Sequence, residues 1–520
     1  MASMNNRLLR PTAAGGFSNP TSIQGLSLWL DSDTATMGNT SSGTGGASNN
    51  GPVKYWGDKR GTAGLALSNS GADSVCPTLI TSGTNSRPHL SFDGGDTLSL
   101  ASFSSTAAAT YFIAGRIGGG SQAFFQVGSL NSHHSMLTQS NNVIARRNNA
   151  AGTDATAAGN PYYGNFAIWT VELSNALSRW RVNGATGAEA TGASSLTDAT
   201  RSFLLGALAS GTFLMNGTVS ELVAYNGVLS AANRSAVERY LGVKYGITLA
   251  PQVSNADAQS WINRVYANGG TVSTSTAAAV NTLCSSIDAA GIRDRFYRLN
   301  LFCGTGLSAA LVPLYRGPSL GGTQFGNATD INTNFVSGDY VEAGATGGLQ
   351  GNGSTKHLAT GLPMTFAESN RTHASSGFMP NTATAHTVLL GARFNLAGSY
   401  AHEVAGNAST FRTSVFSVGV STSAFAPASG RNTLLQNWSG VGNTQNYYSR
   451  NTLLTGGTGG AYSATNATPF LVFAGDTNGT VSQRFNSNID YYSLGLAFSD
   501  AQRNAYADAI TDFRTALSRT

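Results

Sequence analysis

The chain closes the same way twice. Asn216-Gly217-Thr218-Val219 runs through an apolar stretch into Leu229-Ser230-Ala231-Ala232-Asn233-Arg234, and Asn486-Ser487-Asn488-Ile489 runs into Phe498-Ser499-Asp500-Ala501-Gln502-Arg503. In both places a strand-like run delivers a serine to the start of a helix that carries an Arg near the end of its first turn. Ser499 and Gln502 have the Ser-x-x-Gln spacing of a capping box, in which hydroxyl and amide each satisfy an orphan backbone N–H; Ser230 has Asn233 there, a weaker version. A single hydrophobic core stops growing near ~250–300 residues, so 520 residues with a repeated ending are expected to fold as two modules of one design.

Only 11% of the residues are charged, so solubility rests on Ser, Thr, Asn and 63 Gly, which suits turn-rich β-sheet assemblies. Such residues also favour disorder, but 41% hydrophobic residues, 24 Phe and 18 Tyr among them, supply the apolar area that a folded core needs. The net charge of +5 does not point to nucleic acid, because the basic residues are spread singly apart from Arg146-Arg147 and Arg293-Asp294-Arg295. Phosphate tracking needs a stripe of cations interleaved with aromatic platforms. Lysine occurs only as Lys54, Lys59, Lys244 and Lys356. Arg in this setting staples loops through its planar fork. Cys76, Cys284 and Cys303 are an odd number, against a disulfide framework, and the last two sit among apolar residues as small buried hydrophobes. Met1–Gly16 lacks the apolar core of a secretory signal and no ~20-residue apolar run occurs, so neither export nor membrane insertion is expected.

Residues 1–20 are expected to form a polar docking arm whose apolar contact is Leu8-Leu9. From Ser22 short alternating strands follow, Leu26–Leu30, Leu90–Phe92, Thr110–Ala114, Phe124–Val127, Phe166–Val171 and Phe203–Leu205 among them, with turns such as Asp93-Gly94-Gly95 and Asn183-Gly184. Many short strands and one terminal helix predict an antiparallel sandwich of two sheets over 21–250. Its closing helix, 231–245, places Ala236, Tyr240, Leu241 and Lys244 at helical spacing and stops at Gly246. Two helical patterns near 255–267 and 275–290 make 251–316 a helical linker or brace. The strand-and-turn texture returns over 317–520, where Leu349–Leu358 echoes Leu90–Leu98 with Gly in a tight turn.

Leu28-Trp29-Leu30-Asp31, Tyr55-Trp56-Gly57-Asp58-Lys59, Phe92-Asp93-Gly94 and Gly217–Tyr225, ending in Glu238–Gly246, resemble the concanavalin A-like lectin/glucanase (laminin G-like) family. The resemblance implies a mainly β chain of two tandem jelly-roll (concanavalin A-like) β-sandwiches, each closed by a C-terminal helix, with a short helical pair between them. The stretch Trp261–Gly270 through Ala310–Gly317 and Gly351–Gly353 also resembles one recurring in structural proteins of tailed bacteriophages, which implies a virion component assembled in the host cytoplasm.

Fold alone does not choose among sugar binders, glycanases and scaffolds. Glycanases flank the scissile bond with paired carboxylates. The Glu-x-Asp-x-(x)-Glu strand that supplies them is absent, and Glu172, Glu221 and Glu238 stand alone; Glu221, at a family strand position, is expected to orient a turn or bind Arg. No catalytic residue, metal site or cofactor is expected. His133-His134 point to opposite faces of a strand, and Ser319 in Gly317-Pro318-Ser319-Leu320-Gly321 lacks the helix a nucleophile elbow needs. Trp56, Tyr162, Tyr163, Trp438, Tyr447 and its neighbour Tyr448 lie in polar, loop-like contexts and are the candidates for stacking on a sugar ring; core packing or an intersubunit contact is the competing role of each. The expected function is a tail-fibre or surface-fibre adhesin, a homo-oligomer, trimeric by expectation, that meets other virion proteins and host surface polysaccharide. A capsid decoration protein and a polysaccharide depolymerase are the alternatives.

Overall fold

A computed structural model of the chain describes residues 19–33, 36–129, 134–147, 153–158, 162–209, 211–363, 372–379, 387–393, 401–406, 411–415, 421–423, 431–438, 444–449, 452–458, 469–477 and 480–519. It divides into two compact units, Met1–Ala250 and Pro251–Thr520. Of the docking arm, residues 1–18 lie outside the described residues. Its end is fastened to the first unit, where Asn19 caps a short 3-10 turn and the Tyr225 hydroxyl donates to Pro20 O at 2.8 Å.

Each unit is built around one long strand. In the first it is Asn216–Asn226, buried from Gly217 to Tyr225. Alternation explains this: Val219, Leu222 and Ala224 face the core between the sheets, whereas Val223 and Tyr225 face Val237, Leu241 and Tyr245 of the closing helix α1, Ala231–Tyr245. A strand covered on both sides reads as a continuous apolar run. Ala109–Ile117 pairs along one edge of it, and His89–Asp93 and Leu26–Asp31 share the other. The sheet continues outward through Ala167–Leu173, Leu177–Val182 and Ala185–Thr191. A second sheet lies opposite, with Leu98–Ser105, Ala199–Leu205, Gln122–Val127, His134–Gln139, Asn142–Arg147 and Ala155–Ala158 in that spatial order.

The second unit repeats this order through most of both sheets. Asn488–Gly495 takes the central place, with Thr372–Phe378 on one edge and Gly348–Gln350 and Phe296–Asn300 sharing the other. Asn432–Trp438, Thr444–Ser449 and Thr452–Thr458 extend the sheet, and the opposite sheet runs His357–Pro363, Pro469–Val472, Thr387–Arg393, Ala401–Gly406, Phe411–Val415, Ser421–Ser423. Leu90 and Leu349, at the start of the two matching turn stretches, both sit beside the long strand. The chain is thus mainly β, with two antiparallel β-sandwiches in tandem, each closed by a helix.

The expected linker requires correction. Phe296–Asn300 lies within 251–316 yet is a strand of the second sandwich, because it pairs antiparallel with the central strand from Gly495 to Tyr492. The two helices belong to the same unit: α2, Ala256–Ala267, is capped by Asn255, and α3, Thr274–Ala289, packs on the terminal helix. A four-residue helix α4, Leu307–Ala310, precedes that terminal helix, α5, Asp500–Ala516. The repeated caps are as expected. Ser230 accepts from Asn233 N, Ser499 and Gln502 form the reciprocal box, and Gly246 ends α1 in the left-handed region at φ 67°. On α1 the buried stripe is Arg234, Val237, Glu238, Leu241 and Tyr245, one position off the expected set, so Tyr240 and Lys244 lie at its edge.

Candidate functional site

Four acidic residues of the sheets, Asp31, Glu172, Glu221 and Asp490, are committed to cations. In the first unit Glu221, from the middle of the long strand, accepts from Trp29 Nε1 at 2.7 Å and from the hydroxyls of Tyr240 and Tyr245, each at 3.0 Å. Lys244 Nζ lies 2.8 Å from both Glu221 Oε2 and Asp31 Oδ2, and Lys59 also binds Asp31. Burial alone would raise both carboxyls. Lys244 and Lys59 outweigh it at Asp31 and hold that acid below its usual range, whereas burial and the Asp31 charge push Glu221 up. The expectation that Glu221 binds Arg is therefore corrected: the partner is Lys, brought from the last turn of α1. Glu172 is gripped by Arg179, Arg181 and Arg234.

The second unit repeats the device with other residues. Asp490, nine residues before Ser499 as Glu221 is before Ser230, is held by Arg514 of α5 at 2.8 Å and by Arg431. Burial raises its carboxyl, and the arginines more than offset that. Arg298 and Asp330, both fully buried, pair at 2.6 Å beside the Tyr492 hydroxyl. Arg519 donates to the carbonyls of Leu301, Phe302, Glu342 and Asp490. These arginines act as staples, as their scattered placement suggested.

The aromatic candidates separate. Trp56 is corrected: it is wholly buried in the core of the first sandwich, since its short strand, Tyr55–Gly57, turns the indole inward, and it offers no stacking face. Tyr448 is also buried, with Arg503 3.8 Å from its ring centroid. Trp438 ends the strand Asn432–Trp438 and Tyr447 lies within Thr444–Ser449; their side chains lie outside the described residues. Tyr162 and Tyr163 remain half-buried at the edge of the first core. The Tyr163 hydroxyl is turned inward and has no hydrogen-bond partner among the described residues, and burial pushes its pKa up to about 12.

These two tyrosines belong to one rim of loops. Gly164 N donates to Ile117 O, and Gln122 ties the neighbouring turns: its Oε1 accepts from Asn216 N at 2.9 Å and its Nε2 donates to Gly119 O at 2.9 Å. Asn141 Oδ1 accepts from Gly120 N. Asp93 pairs with Asn216 across the strands, which brings the Asp93–Asp96 turn to the same rim. Asp96 is 3% exposed, and burial, joined by the neighbouring Asp93 charge, raises its pKa to about 6. Gln122 and Asn141 were missed in the sequence, where nothing but their place beside glycine turns marks them.

Other sequence candidates resolve as structure. The His134 ring meets the Tyr111 hydroxyl at 2.9 Å inside the core, and His133 lies outside the described residues. Ser319 stands in a turn that continues as loop through Gly326. Burial raises the thiols of Cys284, to about 12, and of Cys303. Among the described residues no group of three His, Cys, Asp or Glu is placed to hold a metal, and no helix is long and apolar enough to cross a membrane. A cavity of about 350 Å³ lies between α3 and α5, lined by residues such as Ala279, Leu283 and Phe513.

No protein-family model and no curated protein matches the chain. Similar solved structures are laminin G domains and carbohydrate-binding modules with jelly-roll folds. Domains LG4-5 of the mouse laminin alpha1 chain give a TM-score of 0.25 and 11% identity over 75% of this chain and 81% of that one. The CBM40 of Ruminococcus gnavus IT-sialidase bound to alpha2,3 sialyllactose gives 0.26 and 12%, over 30% of this chain and 94% of its own. NanB with Optactamide gives 0.26 and 13% over 29% of this chain, which spans only 26% of the NanB chain. Glycoside hydrolase structures also stand among the similar ones. Likeness at these values carries nothing about ligand or activity; the fold rests on the strand order itself.

Proposed function

We propose that this protein is a bacteriophage virion adhesin, a tail-fibre or surface-fibre component whose sandwiches bind host-surface glycans without cleaving them. One observation carries the binding role: the sheet carboxylates Asp31, Glu172, Glu221 and Asp490 are sealed in ion pairs, whereas the rim keeps the half-exposed rings of Tyr162 and Tyr163. Carboxylates neutralised by cations and removed from solvent neither donate a proton nor attack a glycosidic carbon. Aromatic faces beside amide-rich turns suit the apolar face and hydroxyl edge of a sugar. The virion role is supported by the likeness of Trp261–Gly317 to phage structural proteins. Gold-labelled antibody against the chain, applied to intact particles, tests it. Label on tails or projecting fibres is the expected result, label on heads would favour the decoration role, and unlabelled particles would sink the proposal.

A depolymerase has one observation in its favour, the Asp93–Asp96 pair on the rim, with one acid raised to about 6. Against it, Asp96 is 3% exposed and its carboxylate holds Asp93 N. Release of reducing ends from host polysaccharide, abolished by Asp96→Asn, would establish cleavage.

A further inference from the structure

Among the described residues most cations are committed. All four lysines are in ion pairs, Lys54 with Asp73, Lys59 and Lys244 with Asp31, and Lys356 with Asp339. Arg147, Arg264 and Arg519 are spent on backbone carbonyls. Arg116 differs. It is half-buried in the strand Ala109–Ile117, in the middle of a sheet, and its guanidinium makes no hydrogen bond or ion pair among the described residues.

Its surroundings are equally unspent. The strand register aligns Arg116 with Thr218, Thr218 with Ser91 and Ser91 with Thr78, one residue from each of four adjacent strands. Their alternating neighbours Leu79, Leu90 and Val219 fill the core, so this row lies on the outward face of the sheet. The hydroxyls of Thr78, Ser91 and Thr218 make no hydrogen bond among the described residues, although Thr218 is only 8% exposed. His89 stands two residues from Ser91 on the same face, half-buried, and burial and the Arg116 charge hold its pKa below the ordinary value. It is a neutral imidazole, able to give or take a hydrogen bond.

Strands repeat every ~4.8 Å across a sheet, so the row offers a hydrogen-bonding group at each step of a ladder that runs perpendicular to the chain. Such spacing matches a linear polymer laid across the strands better than a compact ligand. A lone guanidinium at one end is too little for a polyphosphate, which needs a stripe of cations. It is well matched to a single carboxylate, which Arg grips through two parallel N–H donors.

We propose that Thr78, Ser91, Thr218 and Arg116, with His89 beside them, form a binding face for a carboxylate-bearing glycan, Arg116 taking the acid group and the row of hydroxyls the sugar hydroxyls. This rests on the glycan-binding role above and names its ligand class. The full chain is titrated calorimetrically with short oligo-uronates and with their carboxyl-reduced neutral counterparts. The wild type binds the acidic probes about tenfold or more tightly than the neutral ones, and added salt narrows the gap. Arg116→Gln removes the difference while its melting temperature stays at that of the wild type, Arg116→Lys keeps part of it, and Thr218→Val weakens both probes. Equal binding of acidic probes by Arg116→Gln and wild type, no discrimination by the wild type, or no binding of either probe overturns the proposal. Binding of host cells by the wild type and by Arg116→Gln alike would overturn this face and leave the adhesin role standing; no binding of cells or glycans by the wild type would remove both.

Discussion

Two buried titratable residues, one in each unit, make opposite contributions to stability as pH falls. His373 is fully buried, its ring shared between Leu496 O and the Ser493 hydroxyl and stacked 4.3 Å from Phe498. Burial lowers its pKa from 6.5 to about 4. Between those values the unfolded chain binds the proton and the native one does not, so stability is full above about pH 6.5 and falls as pH drops toward 4, by on the order of 3 kcal/mol. His373→Gln should flatten the pH dependence of melting of residues 251–520. Asp96 acts the other way. Its pKa, raised from 3.8 to about 6, means the native state binds the proton more tightly, so stability is lost as pH rises from about 4 through 6. Asp96→Asn should raise the melting temperature of the first unit more at pH 7.5 than at pH 4.5; an equal shift at both would refute the assignment. Lys244→Met leaves Asp31 and Glu221 buried beside each other without their shared cation. It should destabilise the first unit by about 3–5 kcal/mol, read by denaturant melts.

Among the elements, the closing helices and the central strands depend on a few backbone contacts. Ser499→Ala deletes one half of the box at the start of α5 and should cost about 1 kcal/mol, whereas the same change at Ser230, whose partner Asn233 contributes only its backbone N–H, should cost no more than that. A Cβ on Gly495 would stand 1.8 Å from Arg295 O, a backbone atom that cannot swing away. Gly495→Ala should therefore part Phe296–Asn300 from the central strand and lower the unfolding midpoint of the second unit, with amide exchange rising first at Leu496, whose N–H donates to Arg295 O. Protection there equal to the wild type would contradict the pairing. The caps were legible in the sequence because they are local in the chain. The glycine requirement was not, because its cause lies 200 residues away.

For the whole molecule, the division at Ala250 and Pro251 predicts that residues 19–250 and 251–520 each fold alone with a cooperative transition. The fragment 317–520, which begins where the sequence placed the second sandwich, lacks Phe296–Asn300 and the α3 face under α5, and should aggregate or unfold. Circular dichroism and melting of the three fragments check this, and a cooperatively folded 317–520 would show the extra strand to be dispensable. The two sandwiches, the closing helices and the turn correspondence were readable because the chain states them twice. The site was less so. Trp56 and Tyr162 look alike in sequence, each in a polar, glycine-punctuated stretch, yet one indole fills the core and the other ring stays at the rim.

What the amino-acid order determined by itself is whatever acts over one turn or one strand. Serine caps, left-handed glycine stops and the two-residue alternation that gives a strand an inside are examples, and their repetition fixed a pair of sandwiches. Which residue stands opposite which was decided only in three dimensions. Alternation says that Glu221 or Arg116 points outward but not what it meets there, and docking of α1 set Lys244 on the first and left the second without a side-chain partner among the described residues. Partners in a β-sandwich come from strands far apart in the chain, so their identity is a property of the assembled sheets.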